Sequence, residues 1–104
     1  MSLTIDIIGS KDLIVGEIDL KQFTIERNDK AVLTVTSATY IIYSKDGDAL
    51  TTSANATITN NATALVTVSA DISAGTNTGE RYVEFSCVIG SYTKKVRLKY
   101  EVKK

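Results

Sequence analysis

The sequence predicts an all-β protein, an antiparallel, immunoglobulin-like β-sandwich of about seven strands. The first observation is a hairpin in the last quarter of the chain, where alternating runs at residues 81–89 and 92–102 meet at Gly90 and Ser91. The second is a series of short segments rich in β-branched and aromatic residues, separated by turn signals. The third is that no segment has the period of a long helix. Because the chain has 104 residues, we expect one domain over residues 1–104.

The first predicted strand covers residues 3–8, where apolar and polar side chains alternate. The second covers residues 18–25, and its apolar residues change phase near Gln22, which predicts a bulge. Residues 1–16 are therefore expected to form either an edge strand of the same sandwich or an N-terminal arm that reaches a neighbouring subunit.

The centre of the chain predicts two further strand pairs. Residues 34–43 are rich in β-branched and aromatic side chains and end at Asp46 and Gly47, a dipeptide typical of tight hairpin turns. Residues 49–59 and 62–69 are predicted to pair with each other around a turn of two asparagines.

Residues 71–79 are predicted to form a loop or a single helical turn before the final hairpin. In that hairpin, Cys87 shares a strand face with apolar neighbours, and the chain contains no histidine that would activate a thiol. Cys87 is therefore expected to be a small core residue. Because the chain has a single cysteine, it forms no internal disulfide.

The final strand concentrates positive charge. Its outward positions are predicted to form a basic ladder opposed only by Glu101, and the cations of this segment are Lys94, Lys95, Arg97, Lys99, Lys103 and Lys104. One interpretation is that these lysines keep an edge strand from pairing with other copies of the chain. The other is a contact surface for an acidic partner. A net charge of zero argues against nucleic acid as that partner.

The candidate interface residues fall on two segments. The basic edge contributes Lys94, Arg97 and Lys99, and a flat threonine-rich strand pair contributes Thr57 and Thr59. A sandwich offers edge strands and outer faces for repeated contacts between subunits, so self-association is one expected use of these surfaces.

The sequence lacks the usual signatures of chemistry. It has no histidine and no glycine-rich phosphate loop, and its acidic pair at Asp46 and Asp48 lacks the spacing of a calcium loop. We therefore predict no enzyme activity, no catalytic residues, no cofactor and no metal. No run approaches the ~20 apolar residues of a membrane span, and the first residues lack the pattern of a signal peptide, so no membrane partner is expected.

Four segments together resemble small structural β-sandwich proteins of tailed bacteriophages and prophages. They are an ATYIIYSKDG hairpin at residues 38–47, ATI at 56–58, a GERYVEF strand at 79–85, and an IG turn with a KKVRL closing strand at 89–98. Such proteins are found among head, head–tail, tail and baseplate components, and the N-terminal domain of upper baseplate proteins has a similar layout. The chain lacks the long helical and receptor-facing regions that follow that domain in baseplate proteins.

The resemblance implies a non-enzymatic virion structural protein that acts through contacts with other virion proteins or with itself. It would be present in the bacterial cytoplasm during assembly and then in the virion. The alternative is a separate immunoglobulin-like module that recognises a carbohydrate or a protein through its inter-strand loops, at residues 28–30 and 74–78. The chain has no tryptophan, which leaves little aromatic surface for sugar stacking.

Overall fold

The computed structural model describes residues 2–9 and 11–104, and these residues form two β-sheets with no helix. Alternating apolar residues and turn dipeptides produce the strands, as the sequence predicts. The strands are β1 (Leu3–Ile8), β2 (Leu13–Ile14), β3 (Ile18–Arg27), β4 (Ser37–Ser44), β5 (Ala54–Asn55), β6 (Thr57–Thr59), β7 (Val66–Ser73), β8 (Gly79–Ile89) and β9 (Tyr92–Lys103).

The strands divide between a four-stranded sheet, called sheet A, and a five-stranded sheet, called sheet B. Sheet A has the order β1-β3-β7-β6 and sheet B the order β2-β9-β8-β4-β5. Neighbouring strands are antiparallel except β2, which runs parallel to β9. The all-β class and the two-sheet architecture therefore agree with the sequence analysis.

The core consists of the inward-facing side chains of both sheets. Phe23 of sheet A and Phe85 of sheet B are both fully buried, and their ring centroids lie 5.1 Å apart with the planes at 70°. This edge-to-face contact joins the two sheets at the centre of the sandwich. Cys87 is also fully buried, as a core residue should be, and its burial raises the pKa of its thiol to about 11.

The C-terminal hairpin has the predicted register. Ile89 pairs with Tyr92 across Gly90 and Ser91, and the pairing continues without interruption to Gly79 and Val102. Gly90 has a φ of 61°, which a two-residue hairpin turn requires. The inward positions of β9 are buried from Val96 to Val102, whereas most of its outward positions are exposed.

The predicted bulge in the second strand is absent. β3 pairs in continuous register with β7 from Ile18 to Ile25. The change of phase has another cause, because Lys21 occupies an inward position and is fully buried, while Ile18 and Leu20 face outward with exposures of 68% and 43%. Because Lys21 interrupts the alternation of apolar residues, the sequence predicted a bulge in a strand that is regular.

The predicted loop or helical turn at residues 71–79 is also wrong in its first part. Residues 71–73 continue β7 and pair with Leu20, Asp19 and Ile18. The loop itself covers residues 74–78.

The predicted partner of β7 is shorter than expected. Within residues 49–59, only Thr57–Thr59 pairs with β7, with Ile58 opposite Val68. The preceding residues pair with β4 in the other sheet, where Ala54 lies opposite Tyr40. The turn before them has Gly47 at a φ of 91°, so the Asp-Gly signal marks a real turn.

The N-terminal segment takes part in both sheets of the sandwich. β1 pairs with β3 from Leu3 to Ile8, and β2 pairs with the end of β9 through Leu13 and Ile14. The described part of residues 1–16 therefore packs on its own chain as edge strands. Within residues 2–9 and 11–104, the model contains no helix of the length and apolar character needed to cross a bilayer.

Candidate functional site

The outward side chains of β8 and β9 form the candidate site, which we call the basic face: Tyr82, Glu84, Lys95, Arg97 and Lys99. The register of the hairpin places these side chains in rows, with Glu84 opposite Arg97 and Tyr82 opposite Lys99. Side chains directly opposite each other on one face of an antiparallel pair lie close enough to interact.

Glu84 holds two of the cations of the basic face. Its carboxylate accepts a hydrogen bond from Arg97 Nε at 2.7 Å and one from Lys95 Nζ at 3.3 Å. The side chain of Glu84 is only 8% exposed, whereas those of Arg97 and Lys95 are 64% and 61% exposed. The cations therefore cover the carboxylate and still present their charged groups to a partner.

The pKa values of this group follow from the same contacts. Burial alone would raise the pKa of Glu84, but the hydrogen bonds from Arg97 and Lys95 outweigh it, so the pKa lies below its usual 4.5. The hydrogen bond to Glu84 raises the pKa of Arg97. Glu84 and Arg97 therefore remain charged at neutral pH.

Two tyrosines also help to fix Arg97, one by direct contact and one by stacking on the first. The guanidinium carbon of Arg97 lies 5.1 Å from the ring centroid of Tyr82. Tyr82 in turn stacks on Tyr43 of β4, with centroids 5.1 Å apart and planes at 18°. A guanidinium held between a carboxylate and an aromatic ring is pre-organised, so it loses little side-chain entropy when a partner binds.

An open groove of about 620 Å³ begins at the basic face and continues to the turn after β4. Its walls carry acidic and basic side chains, which can form hydrogen bonds and ion pairs with a partner. The lining residues outside the basic face are Asp12, Lys45, Asp46, Gly47, Glu80, Arg81, Tyr100 and Glu101.

The backbone edge of β9 is open beside the basic face. A two-residue turn makes Ile89 and Tyr92 a hydrogen-bonded pair, so the N–H and C=O groups of Thr93, Lys95 and Arg97 point away from β8. At the C-terminal end of β9, the N–H of Glu101 also points away from β8, and it donates a hydrogen bond to Asp12 Oδ1 at 2.9 Å. Lys95 and Arg97 thus contribute both a side chain to the basic face and outward-pointing backbone groups to the strand edge.

The remaining sequence-predicted interface residues lie elsewhere. Lys94 is exposed, and its side chain lies on the side of β9 that faces the core farther along the strand. It is therefore on the opposite side of that strand from Arg97 and Lys99. Thr57 and Thr59 are exposed on β6 of sheet A, opposite Ser69 and Thr67. The threonine surface and the basic face are therefore on different sheets and form two separate surfaces.

The two candidate binding loops also lie apart. Residues 28–30 follow the end of β3, where Leu3 pairs with Arg27. Residues 74–78 follow β7, whose last residue Ser73 pairs with Ile18 at the beginning of β3. The loops are thus at opposite ends of the sandwich, and they do not form one binding site.

The sequence analysis did not single out Glu84, Tyr82 or Tyr43 as functional residues. The signal for Glu84 was present, because a two-residue turn at Gly90 and Ser91 fixes Glu84 opposite Arg97. The tyrosine pair depends on the contact between β4 and β8, which are distant in sequence. No cluster of metal-ligating side chains occurs in the part of the chain that the structure describes.

Comparison with known proteins identifies the fold. No protein-family model and no curated protein sequence matches this chain. Among solved structures, the chain is similar to the Lin-41 filamin domain, with a TM-score of 0.52 and 13% identity over 97% of this chain and 91% of that one. It is also similar to part of a family 123 glycoside hydrolase from Clostridium perfringens, with a TM-score of 0.55 and 6% identity over 98% of this chain and 27% of that one. The protein therefore has an all-β fold of the filamin-domain type.

Proposed function

We propose that this chain is a non-enzymatic structural protein that acts through protein–protein contacts made by the basic face. The observation that carries the proposal is the arrangement of Arg97, which is fixed by Glu84 and Tyr82 and yet two-thirds exposed beside an open strand edge. Pre-organised arginines next to tyrosines are typical of the residues that dominate protein interfaces.

The assignment to a tailed-phage particle rests on the sequence resemblance, which spans about residues 34–104. The solved structures named above are a filamin domain and part of a glycoside hydrolase, and they support the fold alone. We propose a head–tail, tail or baseplate component that binds other virion proteins or itself. A β-sandwich with one basic outer face and one threonine-rich outer face offers two distinct surfaces for such repeated contacts.

Mass spectrometry of phage particles induced and purified from the source strain tests the assignment. Peptides of this chain at a level comparable with those of known structural proteins would support it. Their absence from otherwise complete particles would contradict it. Non-phage proteins in the same preparation serve as the control for carry-over.

A charge reversal tests the surface. We expect the double variant Arg97→Glu with Lys99→Glu to lose assembly or partner binding, because both substitutions reverse exposed cations of the basic face. The matched control is Lys94→Glu with Lys104→Glu, which makes the same change of charge at two exposed lysines outside the basic face. Circular dichroism should show that both variants remain folded. Equal assembly by the two variants would remove the basic face from the proposal.

A further inference from the structure

The two lateral edges of sheet B differ in how their backbone groups are paired. The edge of β4 is covered by the chain that follows it: Ser44 N–H donates to Asp48 O at 2.8 Å, and Ile42 O accepts from Leu50 N–H at 2.8 Å. Farther along, Ala38 O accepts a hydrogen bond from the N–H of Ala56 at 2.9 Å. The protein thus closes this edge along the length of the strand.

The edge of β9 is closed at its C-terminal end only. There, β2 pairs with Val102 and Lys103, and Asp12 accepts from Glu101 N–H. Farther upstream, the outward N–H and C=O groups of Thr93, Lys95 and Arg97 have no hydrogen-bond partner among residues 2–9 and 11–104. Three consecutive outward positions therefore offer three donors and three acceptors to an added strand.

We propose that this edge binds an extended segment of a different protein, which adds to sheet B as a strand beside β9 and alternates acidic with apolar residues. This inference rests on the proposed function, because it specifies how the basic face would contact its partner. The alternation follows from the two sides of the edge, which have different chemistry.

The outer side of the edge selects acidic residues. Outward side chains of an added strand would lie about 5 Å from those of Lys95, Arg97 and Lys99. Glu84 is the carboxylate that pairs with Lys95 and Arg97 in these rows, and it is already buried beneath them. Because the basic face has three cations and only this one carboxylate, carboxylates on the incoming strand would meet a net positive charge.

The inner side of the edge selects apolar residues. Between β1 and the beginning of β9 lies a groove of about 180 Å³, which is lined by Leu3, Ile89 and Tyr92 together with Thr93 and Lys94. Tyr92 is 60% exposed there. On β1, Ile7 lies on the same inward side of the strand as Leu3. It is 49% exposed, so it offers further apolar surface. Inward side chains of an added strand would cover this surface.

The same charges argue against a second copy of the chain as the occupant. Pairing β9 with another β9 would place cations opposite cations, which is unfavourable. Among the other edge strands, β1 carries a single acid, Asp6, and β2, β5 and β6 carry none. The complementary partner is therefore an acidic segment of another protein.

Amide hydrogen exchange with a synthetic peptide tests the proposal. The probe alternates glutamate and valine, and the control peptide carries lysine in place of glutamate. We expect the acidic peptide to slow exchange of the amides of Thr93, Lys95 and Arg97 by about tenfold or more, because they become donors in a ladder. The lysine peptide should leave them unchanged.

Two variants complete the test. Lys99→Glu should weaken binding of the acidic peptide by about fivefold, whereas Lys104→Glu, the same change at an exposed lysine beyond the edge, should have little effect. Binding without protection of the three amides would overturn strand addition, even if the charge variants showed that the basic face is an interface. Protection of these amides in concentrated protein alone would overturn the choice of occupant in favour of a second copy.

Discussion

Lys21 is fully buried between the two sheets, with its ammonium group 5.3 Å from the ring centroid of Tyr100. It donates a hydrogen bond to the carbonyl of Lys11 and lies 3.7 Å from a carboxylate oxygen of Asp19. Burial lowers the pKa of Lys21, although Asp19 acts in the opposite direction. The hydroxyl of Tyr100 is buried and has no hydrogen-bond partner in the described chain. This end of the core therefore contains polar groups that an apolar core would avoid.

We predict that Lys21→Met stabilises the protein at pH 7 by about 1 kcal/mol, because a methionine of similar length needs no desolvation of charge and Asp19 keeps a second cation, Lys11 Nζ, at 4.0 Å. The advantage should shrink as the pH rises towards 10.5. In that range the unfolded chain binds more protons at Lys21 than the folded chain does, so wild-type stability increases with pH. Urea unfolding at pH 7 and pH 9.5 measures both effects, with Lys104→Met, at an exposed lysine, as control. A difference that does not change with pH would contradict this account.

Cys87 gives a prediction of opposite sign. Its pKa is raised from 9.0 to about 11, so the folded state keeps the thiol protonated where the unfolded state ionises it. This contribution to stability is fully present below about pH 9 and is lost as the pH rises towards 11. Wild type should therefore lose stability relative to Cys87→Ala over this range. Parallel curves for the two proteins would show that Cys87 does not titrate on unfolding.

At the scale of single strands and turns, local signals were the most reliable guide. The hairpin of β8 and β9 was predicted correctly because a two-residue turn fixes its register. The bulge in β3 was wrong because the alternation rule places lysine outward, whereas Lys21 reaches a backbone carbonyl from an inward position. The end of β7 was missed because its pairing with the beginning of β3 depends on residues far away in sequence.

The candidate site was predictable to a similar degree. Arg97 and Lys99 were identified from the charge pattern, and the structure places both on the exposed side of β9. Their relation to Tyr43 could not be read from the sequence, because it depends on how β4 packs beside β8.

Turn geometry yields a further prediction. Gly90 has a φ of 61°, and a Cβ atom there would meet nothing within 4 Å, so the cost of a side chain is conformational alone. Gly90→Ala should destabilise the protein by about 1 kcal/mol, and Gly90→Asn by less, because asparagine tolerates this conformation. Ala62, with a φ of 60°, should show the reverse, so that Ala62→Gly stabilises the protein. Thermal unfolding of the three variants gives the comparison, and equal effects of alanine and asparagine at Gly90 would contradict it.

At the scale of the whole molecule, the N-terminal segment links the two sheets. β1 lies at the edge of sheet A and β2 at the edge of sheet B, and Leu13 of β2 is fully buried in the core. This short segment therefore contributes more to the fold than its length suggests.

We expect Leu13→Ala to cost about 2–5 kcal/mol, because the truncation leaves a cavity in the core. The neighbouring residue Ile14 is 57% exposed, so Ile14→Ala should change the free energy of unfolding by less than about 0.5 kcal/mol. Chemical denaturation of both variants tests the difference. Similar losses would mean that the edge strand matters through its backbone and not through the buried leucine.

The pairing of β2 with the end of β9 also bears on how the protein is made. Leu13 lies opposite Val102, so residues near one end of the sequence find their partner near the other. Contacts between such distant residues carry a large loop-closure cost and slow the folding of β-proteins. During synthesis, β2 cannot pair with β9 until Val102 and Lys103 have left the ribosome, so sheet B is completed only after β9 has been made. Until then, Leu13 has no strand of sheet B to pair with.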